Sequence, residues 1–221
     1  MNIVKLGKFL MDMGESNYRL KQIKKAVFVD LINNWNEATA LSKGLREALS
    51  KKFPISILKL TNLLESKNKD SVKAVFELDD KNIIEAVLMK HLGRNTVCVS
   101  SQAGCAMGCD FCATGKMGLA KNLTSEEIVD QVLFFSRFLK NHQGPSLMPP
   151  SRTVLDGRIN NVVFMGMGEP FLNYDNVIEA IKILNDKNGF NLGIRRISIS
   201  TCGIIPGLEK FADENMQCNL A

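Results

Sequence analysis

Apolar positions first recur at helical spacing. Between positions 17 and 33, Leu20, Ile23, Val27 and Leu31 fall three and four residues apart, with Arg19, Lys21, Lys24, Lys25 and Asp30 at other positions, which predicts an amphipathic helix. A second helix is predicted over residues 40–52 from Leu41, Leu45, Ala48 and Leu49. Phe53-Pro54 ends it, because proline cannot continue a helix and restricts the residue before it. The pattern then changes to that of strands. Partly β-branched apolar runs at 72–78 and 83–88 flank Asp79-Asp80-Lys81-Asn82, the signature of a hairpin.

From residue 95 strands and helices alternate. Short apolar runs at 96–100, 161–165 and 196–200 are each followed by a helical pattern, and residues 217–221 read as the start of a fourth strand. Thr124-Ser125-Glu126-Glu127 has the form of a capping box, in which the hydroxyl and the carboxylate each satisfy a free amide at the helix start. The helix behind it carries Ile128, Val132, Phe135 and Phe138 on one side, and another covers 174–186. Residues 102–120 read as a Gly- and Cys-rich loop, and 141–158 as an exposed polar loop. Alternation of this kind implies an α/β fold with a parallel sheet and helical crossovers, its apolar strands covered on both faces. The expected organisation is a helical domain (1–70), a hairpin linker (71–90) and an α/β unit (91–221). With no capping helix or polar tail after the fourth strand begins, the reading is of a truncated unit.

Composition adds exclusions. With 45% apolar and 23% charged residues, the chain is of ordinary globular type, neither disordered nor collagen-like. No apolar run approaches the roughly 18 residues of a membrane helix, and the N-terminus lacks a secretory pattern. The expected location is cytoplasmic, with no membrane partner. Residues 1–90 hold 16 Lys and Arg against 11 Asp and Glu, whereas 91–221 hold 12 of each. The basic excess is either a solvated face or the footprint of a polyanion at the N-terminal end.

Six cysteines are present, three of them in Cys105-Ala106-Met107-Gly108-Cys109-Asp110-Phe111-Cys112. In a chain without a secretory signal, so tight a group points to a metal or redox site. Spacing alone leaves three readings: an iron–sulfur cluster with one iron left open, a structural zinc site, or inert core thiols. Zinc needs a fourth ligand, usually paired two and two, and neither His91, Cys98 nor His142 has that spacing. Inert thiols fit poorly with the polar surroundings of Gly104, Gly108 and Gly115. A second glycine-rich segment, Gly166-Met167-Gly168-Glu169-Pro170, follows the second strand. As a dinucleotide fingerprint it fails, because Phe171 stands where a third glycine belongs.

The C-x3-C-x2-C motif at the end of the first strand of a βα series, with an aromatic before its third cysteine, resembles the radical S-adenosylmethionine superfamily. The Gly-rich segment ending in Glu169-Pro170 resembles that superfamily's GGEP element. Cys98-Val99-Ser100-Ser101-Gln102, Cys112-Ala113-Thr114-Gly115 and the N-terminal Tyr18-Arg19, Gln22-Ile23, Leu41-Ser42-Lys43 and Leu45-Arg46 narrow the resemblance to the RlmN/Cfr family of RNA adenine methyltransferases. The resemblance implies a partial radical S-adenosylmethionine (β/α) barrel that stops in or before its fourth strand, preceded by a small helical RNA-binding domain and a hairpin.

It also implies roles. Cys105, Cys109 and Cys112 match ligands of a [4Fe–4S] cluster. Gly168, Glu169 and Ser200 match positions that bind S-adenosylmethionine. Glu85 matches a general base, and Cys98 a thiol that resolves a covalent enzyme–RNA intermediate. The implied reaction methylates C2 of an adenine in large-subunit ribosomal RNA and one in transfer RNA, using two S-adenosylmethionine molecules and an electron donor such as flavodoxin, in a monomeric enzyme. Two departures stand out. Neither Cys202 nor Cys218 matches the family's methyl-carrying cysteine, so this stretch alone is expected not to complete methylation. Met89-Lys90 replaces the Ile-Pro that follows the Glu85 strand in the family.

Overall fold

A computed structural model of the chain describes residues 1–91, 93–142 and 157–221. Most of the expected exposed loop at 141–158 therefore lies outside the described residues. The N-terminal region folds as helices α1 (Ile3–Asp12), α2 (Asn17–Phe28) and α3 (Lys43–Lys52). α1 is a helix beyond those expected, with Ile3, Leu6 and Leu10 at helical spacing and Asn2 capping it by accepting from the Lys5 amide at 2.7 Å. α2 stops at Phe28 rather than continuing to residue 33, because Leu31 turns the chain at φ 56°. The next apolar side chain, Trp35, then enters a short 3-10 turn and is buried.

Seven strands form one sheet. In sequence they are β1 (Lys59–Glu65), β2 (Ser71–Glu77), β3 (Ile83–His91) and β4 (Arg94–Cys98), then β7 (Asn161–Phe164), β8 (Ile197–Ile199) and β9 (Asn219–Leu220). Their spatial order is β1-β2-β3-β4-β7-β8-β9. Pairing is antiparallel from β1 to β4 and parallel from β4 to β9. Two expectations change here. Residues 59–65, assigned to the helical region, are an edge strand; exposed along its whole length, β1 shows no alternation that a sequence could reveal. The 71–90 hairpin is built into the parallel unit, with β3 hydrogen-bonded directly to β4. The sheet is thus mixed rather than purely parallel.

Alternation in the remaining strands sorts the two faces. Val72, Ala74, Phe76, Ile84, Ala86, Leu88, Val97, Val162, Phe164, Ile197 and Ile199 are buried. Their face packs under α4 (Ser125–Asn141) and α5 (Tyr174–Asn185), with Phe76 meeting Phe134 edge-on at 5.0 Å. The opposite face, with Lys73, Glu85, Val87, Thr96, Cys98 and Ser198, is half-exposed. No helix among the described residues covers it.

α4 is the hub. Its capping box forms as the sequence predicts: Thr124 Oγ1 accepts from the Glu127 amide at 3.3 Å, and Glu127 accepts from the Thr124 amide at 2.8 Å. One side of α4 faces the sheet, and the other carries the N-terminal region. Asp130, buried on that second side, accepts from the Ser56 hydroxyl and the Ile57 and Leu58 amides at 2.9, 2.7 and 3.0 Å. Arg137 donates to the Ile32 carbonyl at 2.7 Å. A single hydrophobic cluster consequently runs from Leu6 on α1 to Phe211 on α6 (Ile205–Asp213). None of the described helices is long and apolar enough to cross a membrane.

Candidate active site at the cysteine hairpin

Residues 102–122 are not an irregular loop. β5 (Gln102–Cys105) and β6 (Gly118–Asn122) form a separate two-stranded ribbon, with the cysteine segment as its long connection. Glycine decides its shape. Gly104 sits at φ +74° beside a register shift, and a Cβ there would lie 1.9 Å from the Gly118 carbonyl. No other residue tolerates so close a crossing. Cys105 is buried at the end of β5, while Cys109 and Cys112 are half-buried and joined by a turn from the Cys112 amide to the Cys109 carbonyl at 3.0 Å. All three thiols are free. Amides of Gly115 and Thr114 facing the Cys112 sulfur hold its pKa below the ordinary thiol value.

The segment 166–170 lies against this ribbon. Its glycines let the chain cross itself closely. A Cβ on Gly166 would meet the Val99 carbonyl at 2.7 Å, and one on Gly168, at φ +98°, would meet the Gln102 Cβ at 2.5 Å. Polar bonds fix the crossing. The Gln102 side chain accepts from the Glu169 amide at 2.8 Å and donates to Asn122 at 2.6 Å. The Gln102 amide donates to the Met167 carbonyl at 3.1 Å. Ser100 Oγ donates to the Glu85 carbonyl at 2.6 Å and accepts from the Met167 amide at 2.9 Å.

Glu169 is buried, and its carboxylate is held by the chain itself. Oε1 accepts from the Phe171 amide at 3.0 Å and the Thr201 hydroxyl at 2.7 Å, and Oε2 accepts from the Cys202 amide at 2.9 Å. Desolvation first, then the neighbouring Glu169 carboxylate, push the exposed Cys202 thiol up to about 11. Ser200 is half-buried just beyond β8, its amide bonded to the Phe164 carbonyl at 3.3 Å. The cysteine segment, Glu169 and Ser200 thus meet at the carboxyl ends of the parallel strands, where ligands of open α/β sheets gather.

Glu85 and Cys98 lie on the open face of the sheet. Val87 stands directly opposite Cys98, so Glu85, two residues along, is its diagonal neighbour at about 7–8 Å between backbones. Glu85 pairs with Lys73 at 3.1 Å. Burial raises the Cys98 pKa.

Residues that sequence reasoning missed connect these parts. Gln131, wholly buried on α4, accepts from the Ser100 amide at 2.8 Å and donates to the Ser100 carbonyl at 3.0 Å. Asn173 donates to the carbonyls of Ser101 and Leu123, both at 2.7 Å. A polar Gln131 among Ile128, Val132 and Phe135 on the core side of a helix was the available signal, since a buried amide needs partners.

Among the described residues, no three metal-binding side chains converge on a single ion. An iron–sulfur cluster does not require that, because each thiolate takes a different iron. Three free thiols on one glycine-shaped loop, one of them already accepting from backbone amides, are a donor set that fits such a cluster.

Residues 1–55 match the family described as the ribosomal RNA large subunit methyltransferase N-terminal domain. A probable dual-specificity RNA methyltransferase RlmN of Chloroflexus aurantiacus is 41% identical over 222 residues, covering 100% of this chain and 56% of the relative. A protein of the same name from Thermotoga neapolitana is 44% identical over 212 residues, covering 96% of this chain and 57% of the relative. The chain belongs to the RlmN family. In three dimensions it resembles a radical SAM methyltransferase from Sphaerobacter thermophilus, with a TM-score of 0.88 at 36% identity, over 100% of this chain and 61% of that one. This RlmN-family chain therefore spans somewhat more than half the length of the proteins it matches. The mixed α/β architecture and the position of the cysteine hairpin within it belong to a fold shared with a methyltransferase.

Proposed function

We propose that this chain carries the cluster-binding and cofactor-binding part of an enzyme that methylates C2 of adenines in large-subunit ribosomal RNA and in transfer RNA. One observation supports this reading above the others. The C-x3-C-x2-C hairpin and the buried Glu169 segment are joined by polar bonds at one end of the parallel strands, and the adjoining open face of the sheet presents Glu85 and Cys98.

In this proposal Cys105, Cys109 and Cys112 hold a [4Fe–4S] cluster, and Gly168, Glu169 and Ser200 hold S-adenosylmethionine. A carboxylate offers about four acceptor positions. Three are taken in Glu169 by Phe171, Thr201 and the Cys202 amide, which leaves one acceptor position for an ammonium. Bound together, cluster and cofactor supply the radical chemistry that C2 of adenine, electron-poor and not nucleophilic, requires; one cofactor molecule serves as methyl source and another as radical source. The protein's own part is to orient and to move protons. Glu85 would accept the proton that leaves C2. Cys98, its diagonal neighbour, would lose its proton and bond through sulfur to the methyl-carrying cysteine, so that the carbon–sulfur bond to the RNA breaks, its electron pair stays on carbon and that carbon takes up a proton. Exposed Lys21 on α2 and the basic side chains around it engage RNA phosphates, which position a substrate without reading its sequence. An electron donor such as flavodoxin completes the scheme.

Mass spectrometry of RNA from cells with and without the gene tests the activity. Deletion is expected to remove 2-methyladenosine from ribosomal and transfer RNA, and unchanged levels would overturn the reading. Anaerobic reconstitution tests the site separately: iron and sulfide in equal amounts are expected, and stoichiometric zinc without sulfide would exclude the cluster.

A further inference from the structure

The β5–β6 ribbon shares no ladder with the seven-stranded sheet, so something other than strand pairing must hold it in place. Backbone bonds secure its inner end: the Leu123 amide donates to Ser101 at 3.1 Å, and the Gln102 amide to Met167 at 3.1 Å. On the outer strand, charge is concentrated in one place. Lys121 Nζ lies 2.8 Å from Glu127 Oε1 and 3.0 Å from Asp80 Oδ2.

Those two carboxylates belong to different parts of the scaffold. Asp80 lies in the β2–β3 turn, where it also accepts from the Asn82 amide at 3.1 Å. Glu127 is buried at the start of α4, and its other oxygen closes the capping box on Thr124. Lys121 thus ties the cysteine ribbon to the antiparallel half of the sheet and to the helix that underlies it. Its side chain is only 28% exposed, and that of Glu127 9%. Partial burial works against the ammonium, but Glu127 and Asp80 outweigh it and raise the Lys121 pKa. An isolated surface pair contributes little. Here one ammonium is shared by two fixed carboxylates at the junction of three elements, and a network is the case in which charge pairs do matter.

We propose that Lys121 is the positioning residue of the cysteine hairpin: by bridging Asp80 and Glu127 it holds the C-x3-C-x2-C segment in register for metal binding. The inference rests on the proposed cluster only for its second readout. In Lys121→Met the stem survives but the charge is gone, whereas Lys121→Arg keeps both carboxylate contacts within reach.

Hydrogen exchange on the metal-free chain gives the first readout. Lys121→Met is expected to speed exchange of amides in residues 102–122 by about tenfold, the equivalent of ~1.4 kcal/mol, while amides of β2, β3 and α5 keep their rates. Lys121→Arg should restore protection. The second readout is loss of iron from the reconstituted chain to a chelator, which should accelerate by a similar factor in Lys121→Met and return in Lys121→Arg. Lys59→Met, which removes an exposed pair with Glu77 on the edge strand at 3.2 Å, is the control and should change neither. Exchange in 102–122 equal to that of the unaltered chain, or faster exchange spread evenly over all elements, would overturn the proposal. If the unaltered chain takes up no iron, the cluster assignment fails, and the metal-free exchange data still decide the role of Lys121.

Discussion

In the seven-stranded sheet, Val72, Ala74 and Phe76 of β2, Ile84, Ala86 and Leu88 of β3, Val97 of β4 and the alternate residues of β7 and β8 enter a continuous apolar core beneath α4 and α5. Of the cysteine ribbon only Ala103 joins that core. Leu119 and Met117 are exposed, and the ribbon is held by Gln102, Asn122, Asn173 and Lys121 through polar bonds to its neighbours. The contrast separates two tasks. Apolar burial is non-directional and large, so it stabilises the scaffold without placing any atom closely. Hydrogen bonds contribute less in net terms, but they are directional, and a buried one left unmade is costly. The candidate chemistry sits on the second kind of structure, supported by the first.

The largest effect should come from the scaffold. Phe135 is fully buried on α4, and Phe135→Ala should cost about 3–5 kcal/mol through lost burial and the cavity left behind. Denaturant unfolding would show it as a lower midpoint for the whole chain. Loss confined to the ribbon would break the comparison. A middle-sized effect should come from the joint between the two regions. Gln131→Leu leaves the amide and carbonyl of Ser100 unpaired in a buried setting, at about 1–3 kcal/mol. Because Ser100 also holds Met167 and Glu85, hydrogen exchange should rise in 99–102 and 166–169 before it rises elsewhere.

The smallest effect is expected where a polar contact merely decorates the scaffold. Lys24 on α2 reaches Asp186 after α5 at 2.6 Å. Burial opposes the Asp186 carboxylate, but Lys24 and the Asn188 amide prevail and keep its pKa below the usual value. Stability from a depressed carboxylate is present above the unfolded-state pKa of about 3.9 and is lost as pH falls through the folded-state value. Lys24→Met should therefore cost less than about 1 kcal/mol at neutral pH and flatten the acid limb of the stability curve. An effect as large as that of Gln131→Leu would show that polar contacts count equally in both regions.

What could be read from the residues follows the same division. Period-2 and period-3.6 patterns located β2, β7, α4 and α5 within a residue or two, and β3 except for its last three residues, since those elements bury one face, and burial is written in residue type. The capping box at Thr124 and Glu127 was equally plain, being local. β1, exposed throughout, carried no such contrast and was missed; α1 did carry it, with Ile3, Leu6 and Leu10 at helical spacing, and was overlooked. The cysteine spacing pointed to the metal-binding chemistry proposed above, and the wider motifs pointed to the family that the comparisons show.

Tertiary structure alone decided the rest. It turned the expected loop at 102–120 into a ribbon, because Gly104 and Gly118 must cross within hard contact. It joined the hairpin to the parallel strands in one mixed sheet, a choice of register between β3 and β4 that either strand's own pattern leaves free. It showed why glycine stands at 166 and 168, where Val99 and Gln102 leave no room for a Cβ. And it gave Gln131, Asn173 and Lys121 their meaning, because residues 31 to 72 positions apart form a hydrogen bond or ion pair only once burial elsewhere has brought them within about 3 Å.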